Sequence, residues 1–68
     1  MMILHINGRQ REFAAETMSV ADLVLQLGLQ GKRLAMERNG EIVPRGSFEN
    51  VMLASGDKLE IVGAVGGG

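Results

Sequence analysis

The sequence predicts a single α+β domain in which a mixed sheet of four or five strands packs on one main helix. Two Asn-Gly dipeptides, at 7–8 and 39–40, each follow a run of alternating apolar and polar residues. That pattern is typical of a strand that enters a tight hairpin turn. Residues 20–27 carry apolar side chains at helical spacing, and residues 58–62 alternate as one further strand.

The chain is predicted to open with a β-hairpin. In an extended chain Met2, Leu4 and Ile6 would share one face and Ile3, His5 and Asn7 the other, as in a half-buried strand. Asn7 and Gly8 readily adopt the positive φ angles that a two-residue turn requires. A second strand is therefore predicted over residues 9–14.

The main helix has a predicted start, an apolar stripe and a predicted end. Ser19 is the expected N-cap, because its hydroxyl can accept a hydrogen bond from the amide of Asp22, whose carboxylate suits the positive end of a helix. Gly28 is the expected C-terminal cap, since glycine tolerates the left-handed conformation found there. The stripe that would face the core consists of Val20, Leu23, Val24 and Leu27.

A second hairpin is predicted in the middle of the chain. Residues 33–38 alternate, Asn39-Gly40 repeats the turn signature, and residues 41–43 form a short return strand. Pro44 ends this strand because proline has no N–H to donate to a sheet.

The remaining residues predict one weak helical turn, one tight turn and the final strand. Residues 47–53 have a weak helical spacing, and Ser55-Gly56-Asp57 is typical of a turn that leads into the strand 58–62. This order of elements is that of the β-grasp fold, in which the last strand lies inside the sheet beside the first. The predicted division is a β-grasp domain over 1–62 and a flexible C-terminal glycine tail over 63–68.

Size and composition argue against an autonomous enzyme, a nucleic-acid-binding protein and a metalloprotein. A chain of 68 residues has little room for a deep cleft that excludes water. Seven basic and eight acidic side chains are interspersed, and there is no Cys and a single His. With no signal peptide and no apolar run long enough to span a membrane, we expect a soluble cytoplasmic protein that binds neither nucleic acid nor membrane.

Several side chains that could do chemistry have simpler interpretations. His5 lies opposite the apolar face of its strand, so we expect an exposed sheet histidine rather than a general base. Arg45, next to Pro44, could equally contact a partner or lie in solvent. Asp57 has no acid/base companion and is interpreted as a turn residue. Core filling is predicted for Met2, Met36 and Met52.

The segment most suggestive of function is 63–68, which ends in three glycines. Because glycine has no Cβ, such a run could enter a narrow channel in another protein and present its terminal carboxylate. A frayed end without function is the simpler interpretation. However, a glycine run loses conformational entropy when it binds and gains no side-chain contact in return. Its plausible use is therefore to reach an enclosed site that bulkier residues could not enter.

Over nearly its whole length the chain resembles the ThiS family of sulfur carriers. The matching segments are the strand ending at Asn7-Gly8 and residues 19–27, 39–45, 55–62 and 64–68. The resemblance implies a protein cosubstrate rather than an enzyme, with the Gly68 carboxylate as the acceptor. An E1-like adenylyltransferase of the ThiF type would join this carboxylate to AMP, and a persulfide sulfur from a donor protein would displace AMP to give a thiocarboxylate. Val65, Gly66 and Gly67 would contact the partner enzymes.

The resemblance also implies which partners supply the remaining components. A thiazole synthase of the ThiG type would receive the sulfur for thiamin biosynthesis. ATP and magnesium would be bound by the adenylyltransferase, since this chain has no glycine-rich phosphate loop that opens a helix and is expected to bind no cofactor. Members of the family tend to dock through an exposed apolar sheet face beside the tail.

Two alternative functions stay open at this point. A MoaD-like carrier would have the same fold and tail but would deliver sulfur to molybdopterin, and partner identity distinguishes the two pathways. A β-grasp interaction module or ubiquitin-like modifier would use Gly68 to form an isopeptide bond, or would not use it. Covalent conjugates to lysine side chains would identify a modifier.

Overall fold

The computed structural model describes residues 1–63 and confirms the predicted β-grasp arrangement. The strands are β1 (Met2–Ile6), β2 (Arg9–Phe13), β3 (Met18–Ser19), β4 (Leu34–Arg38), β5 (Glu41–Ile42), β6 (Met52–Leu53) and β7 (Lys58–Gly63). Helix α1 spans Val20–Gln26, and a 3₁₀ turn spans Arg45–Ser47. A five-stranded mixed sheet has the strand order β2-β1-β7-β4-β5, and β3 pairs with β6 in a separate two-stranded ladder.

The last strand lies in the middle of the sheet, as predicted. β7 runs parallel to β1, with His5 opposite Lys58, and antiparallel to β4, with Leu34 opposite Gly63. The strand is one residue longer than predicted, because Gly63 is still paired with β4. The segment 64–68, which lies outside the described residues, therefore follows a central strand rather than an edge strand.

Both predicted Asn-Gly turns are present. The φ angles of Asn7 and Gly8 are 51° and 82°, and those of Asn39 and Gly40 are 51° and 88°. Positive φ at both central residues is the type I′ geometry, whose twist matches that of the flanking strands. The two turns thus set the registers of the β1–β2 and β4–β5 hairpins.

Helix α1 has the predicted caps at both ends. The Ser19 hydroxyl accepts a hydrogen bond from the Asp22 amide at 3.0 Å, and the Asp22 carboxylate accepts one from the Ser19 amide at 3.1 Å. At the other end Gly28 has φ 71°, and the Leu29 amide donates to the Val24 carbonyl at 3.0 Å. These bonds satisfy backbone groups that every helix end leaves unpaired.

A single core lies between α1 and the inner face of the sheet. Since α1 has only seven residues, packing rather than intrinsic helix propensity must stabilise it. Within residues 1–63 no helix is long and apolar enough to cross a membrane. The buried apolar side chains include the predicted core residues Met2 and Met36; the full set is Met2, Leu4, Ile6, Met18, Val20, Leu23, Met36, Val43, Leu53 and Leu59.

The segment 47–53 differs from its prediction. Its one helical turn begins earlier, at Arg45–Ser47, and its end forms strand β6. Met52 is 51% exposed, so the prediction that it fills the core is wrong. Neighbouring residues of a strand point to opposite faces, and β6 buries Leu53, which lies opposite the buried Met18.

Candidate functional site

The residues predicted to carry the chemistry lie outside the part of the chain that the structure describes. They are Val65, Gly66, Gly67 and Gly68, and their roles stay predictions. What the structure does describe is the end of β7, from which the segment 64–68 continues, together with the residues that fix β7 and the sheet surface beside it.

Asn7 extends the pairing of β7 beyond the end of β1. Its side-chain Nδ2 donates a hydrogen bond to the Ile61 carbonyl at 3.1 Å, and the Ile61 amide donates to Asn7 Oδ1 at 2.8 Å. A side-chain amide offers the same donor and acceptor groups as a peptide unit, so Asn7 takes the place of the next residue of β1 in the ladder. β7 is thereby fixed up to Ile61 on the β1 side.

Asn39 fixes the other end of β7 in a related way. Its Oδ1 accepts a hydrogen bond from the Lys58 amide at 2.9 Å, and its Nδ2 donates to Asp57 Oδ1 at 3.1 Å. The sequence predicts both asparagines as turn formers and does not predict these side-chain contacts. Aspartate is also common in such turns. The use of asparagine, whose side-chain amide can donate as well as accept a hydrogen bond, was the one feature of the sequence that could have indicated these contacts.

Asp57 is the buried centre of a partly exposed polar cluster just before β7. Its carboxylate accepts hydrogen bonds from the Ala54 amide at 2.8 Å, from Arg38 Nε at 2.8 Å and from Asn39 Nδ2 at 3.1 Å. Burial acts to raise the pKa of Asp57, but the hydrogen bonds from Ala54, Asn39 and Arg38 and the positive charge of Arg38 together outweigh it, so the pKa is lowered. Asp57 closes the turn as predicted and also forms an ion pair that the sequence did not predict.

The contacts of Asn39 yield a stability prediction. We expect Asn39→Asp to lower the free energy of unfolding at pH 7 by about 1–3 kcal/mol, because an acceptor oxygen would replace the donor that faces Asp57. Asn39→Gly is the control: it keeps the positive φ and loses both side-chain bonds, including the one from the Lys58 amide that an aspartate could still accept, but it adds no charge beside Asp57. A loss in Asn39→Asp that is at least as large as the loss in Asn39→Gly would therefore be due to repulsion between the two carboxylates. Urea unfolding measures both, and a variant Asn39→Asp as stable as the wild-type chain would contradict the role of the amide.

The outer face of the sheet, which points away from α1, carries exposed apolar and acidic side chains. Ile42 is 75% exposed and Val62 is 61% exposed. Glu37 and Glu60 lie directly opposite each other in the β4–β7 pairing. Because Val62 is near the end of β7, this face adjoins the start of the segment 64–68. We define the outer face by Ile3, His5, Gln10, Glu12, Ala35, Glu37, Ile42, Lys58, Glu60 and Val62, which the strand registers place together.

His5 and Arg45 lie in two different parts of the surface. His5 is half-buried on the outer face, beside Lys58 of β7. Within residues 1–63 no group of three or more His, Cys, Asp or Glu could hold a metal ion. Arg45 Nη2 lies 3.5 Å from the Lys32 carbonyl oxygen, at the rim of a cleft of about 540 Å³ beside α1. The apolar lining of this cleft includes Val24, Leu25, Leu34 and Phe48.

Sequence comparison relates the chain to sulfur carriers and to parts of longer proteins. Residues 4–68 match the model of the ThiS family. The chain is 35% identical over 66 residues to the sulfur carrier protein ThiS of Bacillus subtilis, covering 97% of this chain and 100% of that protein. It is 49% identical over 67 residues to a thiazole synthase of Paramagnetospirillum magneticum, covering 98% of this chain and 20% of that protein. The chain thus spans a fifth of the length of that thiazole synthase.

Structural comparison supports the same relationship. The crystal structure of a thiamine biosynthesis protein (ThiS) from Geobacter metallireducens matches with a TM-score of 0.85 at 32% sequence identity, covering 98% of this chain and 100% of that chain. A solution NMR structure of a thiamine biosynthesis protein from the same organism matches with a TM-score of 0.81, covering 98% of this chain and 88% of that one. These matches confirm the β-grasp fold.

Proposed function

Because this chain belongs to the ThiS family, we propose that it carries sulfur as a thiocarboxylate on Gly68 for thiamin biosynthesis. The chain is a sulfur carrier, and it acts as a protein cosubstrate rather than as a catalyst. The observation that supports this function is the match of residues 4–68 to the family, together with the likeness to a sulfur carrier over that protein's full length.

The proposed loading converts the Gly68 carboxylate, a poor electrophile, into an acyl adenylate, which is a good one. The Gly68 carboxylate attacks the α-phosphorus of ATP, and pyrophosphate leaves to give an acyl adenylate. The terminal sulfur of a persulfide then attacks the carbonyl carbon, and AMP leaves with the bonding electron pair. A second thiol cleaves the sulfur–sulfur bond, which leaves the thiocarboxylate on the carrier and a disulfide on the thiol proteins.

We assign the reagents of these steps to partner proteins. The chain contains no Cys, so both the persulfide and the second thiol come from elsewhere. The start of α1 is already capped by the Asp22 carboxylate, which would repel a phosphate. ATP and magnesium therefore belong to an E1-like adenylyltransferase of the ThiF type. A need for ATP and reduced thiols favours the cytoplasm as the place of action.

A thiazole synthase is the partner that the comparisons support. Two thiazole synthases contain a region similar to nearly the whole of this chain. We propose that a synthase of the ThiG type receives the sulfur, which favours the thiazole pathway over the molybdopterin pathway. In this proposal Val65, Gly66 and Gly67 enter the partner's channel, and the outer face beside the end of β7 contacts the partner's surface.

The loading reaction can be tested directly by mass spectrometry. After incubation with a ThiF-type adenylyltransferase, ATP, magnesium and a persulfide donor, we expect one oxygen of the Gly68 carboxylate to be replaced by sulfur. Tandem spectra must localise the change, because oxidation of any of the five Met residues adds nearly the same mass. The control omits ATP. An unmodified Gly68 in the presence of partners shown to be active would overturn the proposal.

A further inference from the structure

The end of β7 is held differently by its two neighbouring strands. On one side β4 pairs with β7 as far as Gly63, which lies opposite Leu34. On the other side, within residues 1–63, β1 pairs with β7 only as far as Ile6, which lies opposite Leu59. Paired with β4 alone, residues 60–63 would resemble an edge strand, and the ends of such strands open readily.

Asn7 supplies contacts on the β1 side beyond this point. Its φ of 51° turns the main chain into the hairpin, yet its amide still donates to the Leu59 carbonyl at 2.9 Å. Its side chain then both donates to and accepts from the main chain of Ile61. Because donor and acceptor belong to one planar amide, the two bonds hold Ile61 in the orientation of a paired strand residue. We call the end of β7 closed when these bonds and the pairing of Gly63 are made.

The position of these bonds relates them to the reacting group. Gly68 is five residues beyond Gly63 and seven beyond Ile61. Opening of the strand end back to Ile61 therefore lengthens the reach of the terminal carboxylate from about 17 Å to about 24 Å. Greater length alone dilutes the carboxylate only about 1.7-fold.

The larger effect of opening is on binding. An enzyme that holds the folded domain and Gly68 at the same time needs a fixed distance between them, which the closed end of β7 provides. Residues released by opening must be ordered again in the complex, at a cost in conformational entropy. The apparent Kd therefore rises in inverse proportion to the fraction of carrier molecules that is closed.

We propose that Asn7 is a positioning residue for the reaction at Gly68. It keeps the end of β7 closed, so that the segment 64–68 starts from a defined point on the folded domain. Asn7 acts through Ile61 and is not itself a catalytic residue. The inference rests on the proposed function and deepens it, because it assigns to the turn residue a role in presenting the acceptor.

The test uses Asn7→Gly, which keeps the positive φ of the turn and removes both bonds to Ile61. Pyrophosphate release by a ThiF-type adenylyltransferase, with ATP and magnesium saturating, gives kcat and the KM for the carrier. We expect KM to rise about three- to tenfold, since each lost bond shifts the closing equilibrium by about two- to tenfold. We expect kcat to stay within about twofold, because the bound carrier is closed in both chains.

Amide hydrogen exchange measures the opening independently of the reaction. Val62 lies opposite Ala35 of β4, so its pairing does not involve Asn7 directly. In Asn7→Gly we expect exchange of the Val62 amide to accelerate at least about threefold, at a temperature where circular dichroism shows both chains folded. An unchanged exchange rate would show that Asn7 does not hold the end of β7, which would overturn the proposal.

Asn39→Gly is the matched control, since it also keeps its turn and loses two side-chain bonds, but at the start of β7. We expect its KM to equal that of the wild-type chain. An equal rise of KM in both variants would indicate a general loss of stability and overturn the proposal.

The remaining outcomes separate the positioning role from the proposed function. If Asn7→Gly does not fold, Asn7→Asp replaces it, because aspartate suits the turn and removes the bond to the Ile61 carbonyl. A wild-type KM in the folded variant refutes the positioning role and leaves the carrier function standing. A wild-type chain that active partners never adenylate refutes the proposed function and the positioning role with it.

Discussion

Deletion of Gly68 is expected to abolish sulfur loading and to leave the free energy of unfolding unchanged. The deletion moves the terminal carboxylate back by one residue, about 3.5 Å, whereas a misplacement of about 1 Å can already cost a hundredfold in rate. The described core contacts and the β4–β7 pairing end at Gly63, so the deletion removes none of them. Tandem mass spectrometry after the loading reaction, and urea unfolding of both chains, measure the two effects.

Two further variants test whether loading requires the terminal carboxylate to be that of residue 68. Adding one residue after Gly68 should also prevent loading, because the reactive carboxylate then belongs to a different residue. Gly68→Ala keeps the chain length and is expected to slow loading by adding a methyl group, rather than to prevent it. Formation of a thiocarboxylate on the shortened chain would show that the partner does not require a carboxylate at position 68.

Replacement of Asp57 by alanine is expected to have the largest effect on stability. The change leaves the Ala54 amide, Arg38 Nε and Asn39 Nδ2 without their shared acceptor. We expect a loss of about 2–4 kcal/mol at pH 7, a large fraction of the total stability of a small domain. Asp57→Asn retains one acceptor oxygen and should lose less. Urea unfolding that found the alanine variant within about 0.5 kcal/mol of wild type would contradict this account.

The same carboxylate makes stability depend on pH. The pKa of Asp57 is lower in the folded chain than its ordinary value. The corresponding stabilisation is therefore complete above the unfolded-state pKa of about 3.9 and is lost as the pH falls through the folded-state pKa. The difference in unfolding free energy between wild type and Asp57→Asn should shrink between pH 6 and pH 2, in conditions where both chains unfold reversibly. A difference that stays constant would exclude Asp57 as the titrating group.

Local signals explain which elements could be predicted from the sequence. Asn7-Gly8 and Asn39-Gly40 determine their turns through their own backbone preferences, and Ser19 with Asp22 caps α1 through bonds that span three residues. The position of β7 inside the sheet was predicted from the known order of a β-grasp fold. Periodicity alone would not have placed it there.

The features that escaped prediction depend on contacts between distant parts of the chain. Met52 was assigned to the core because its segment has helical spacing, whereas pairing of β6 with β3 determines which side chain of that strand is buried. The bond between Asn7 and Ile61 and the ion pair of Arg38 with Asp57 likewise require the tertiary arrangement. Glu37 and Glu60 become partners only once the β4–β7 register is known.

The candidate site also has one part that could be predicted from the sequence and one part that could not. Gly68 and the residues before it were assigned from the resemblance to a family, since a glycine run alone has too many explanations. The outer face could not be assigned residue by residue, because strands far apart in sequence contribute to it. Ile42 and Val62, for example, come from β5 and β7. They lie on the same face because both strands pair with β4.

The bond between Asn7 and Ile61 joins residues 54 positions apart in the chain. Hairpins such as β1–β2 close over short loops and form within microseconds, whereas pairing of β1 with β7 must wait for a loop that spans most of the domain. We therefore expect the sheet to close after its hairpins have formed. A carrier that is still folding has a C-terminal segment but not yet the completed outer face beside it, so we expect it to become a substrate only after the sheet has closed.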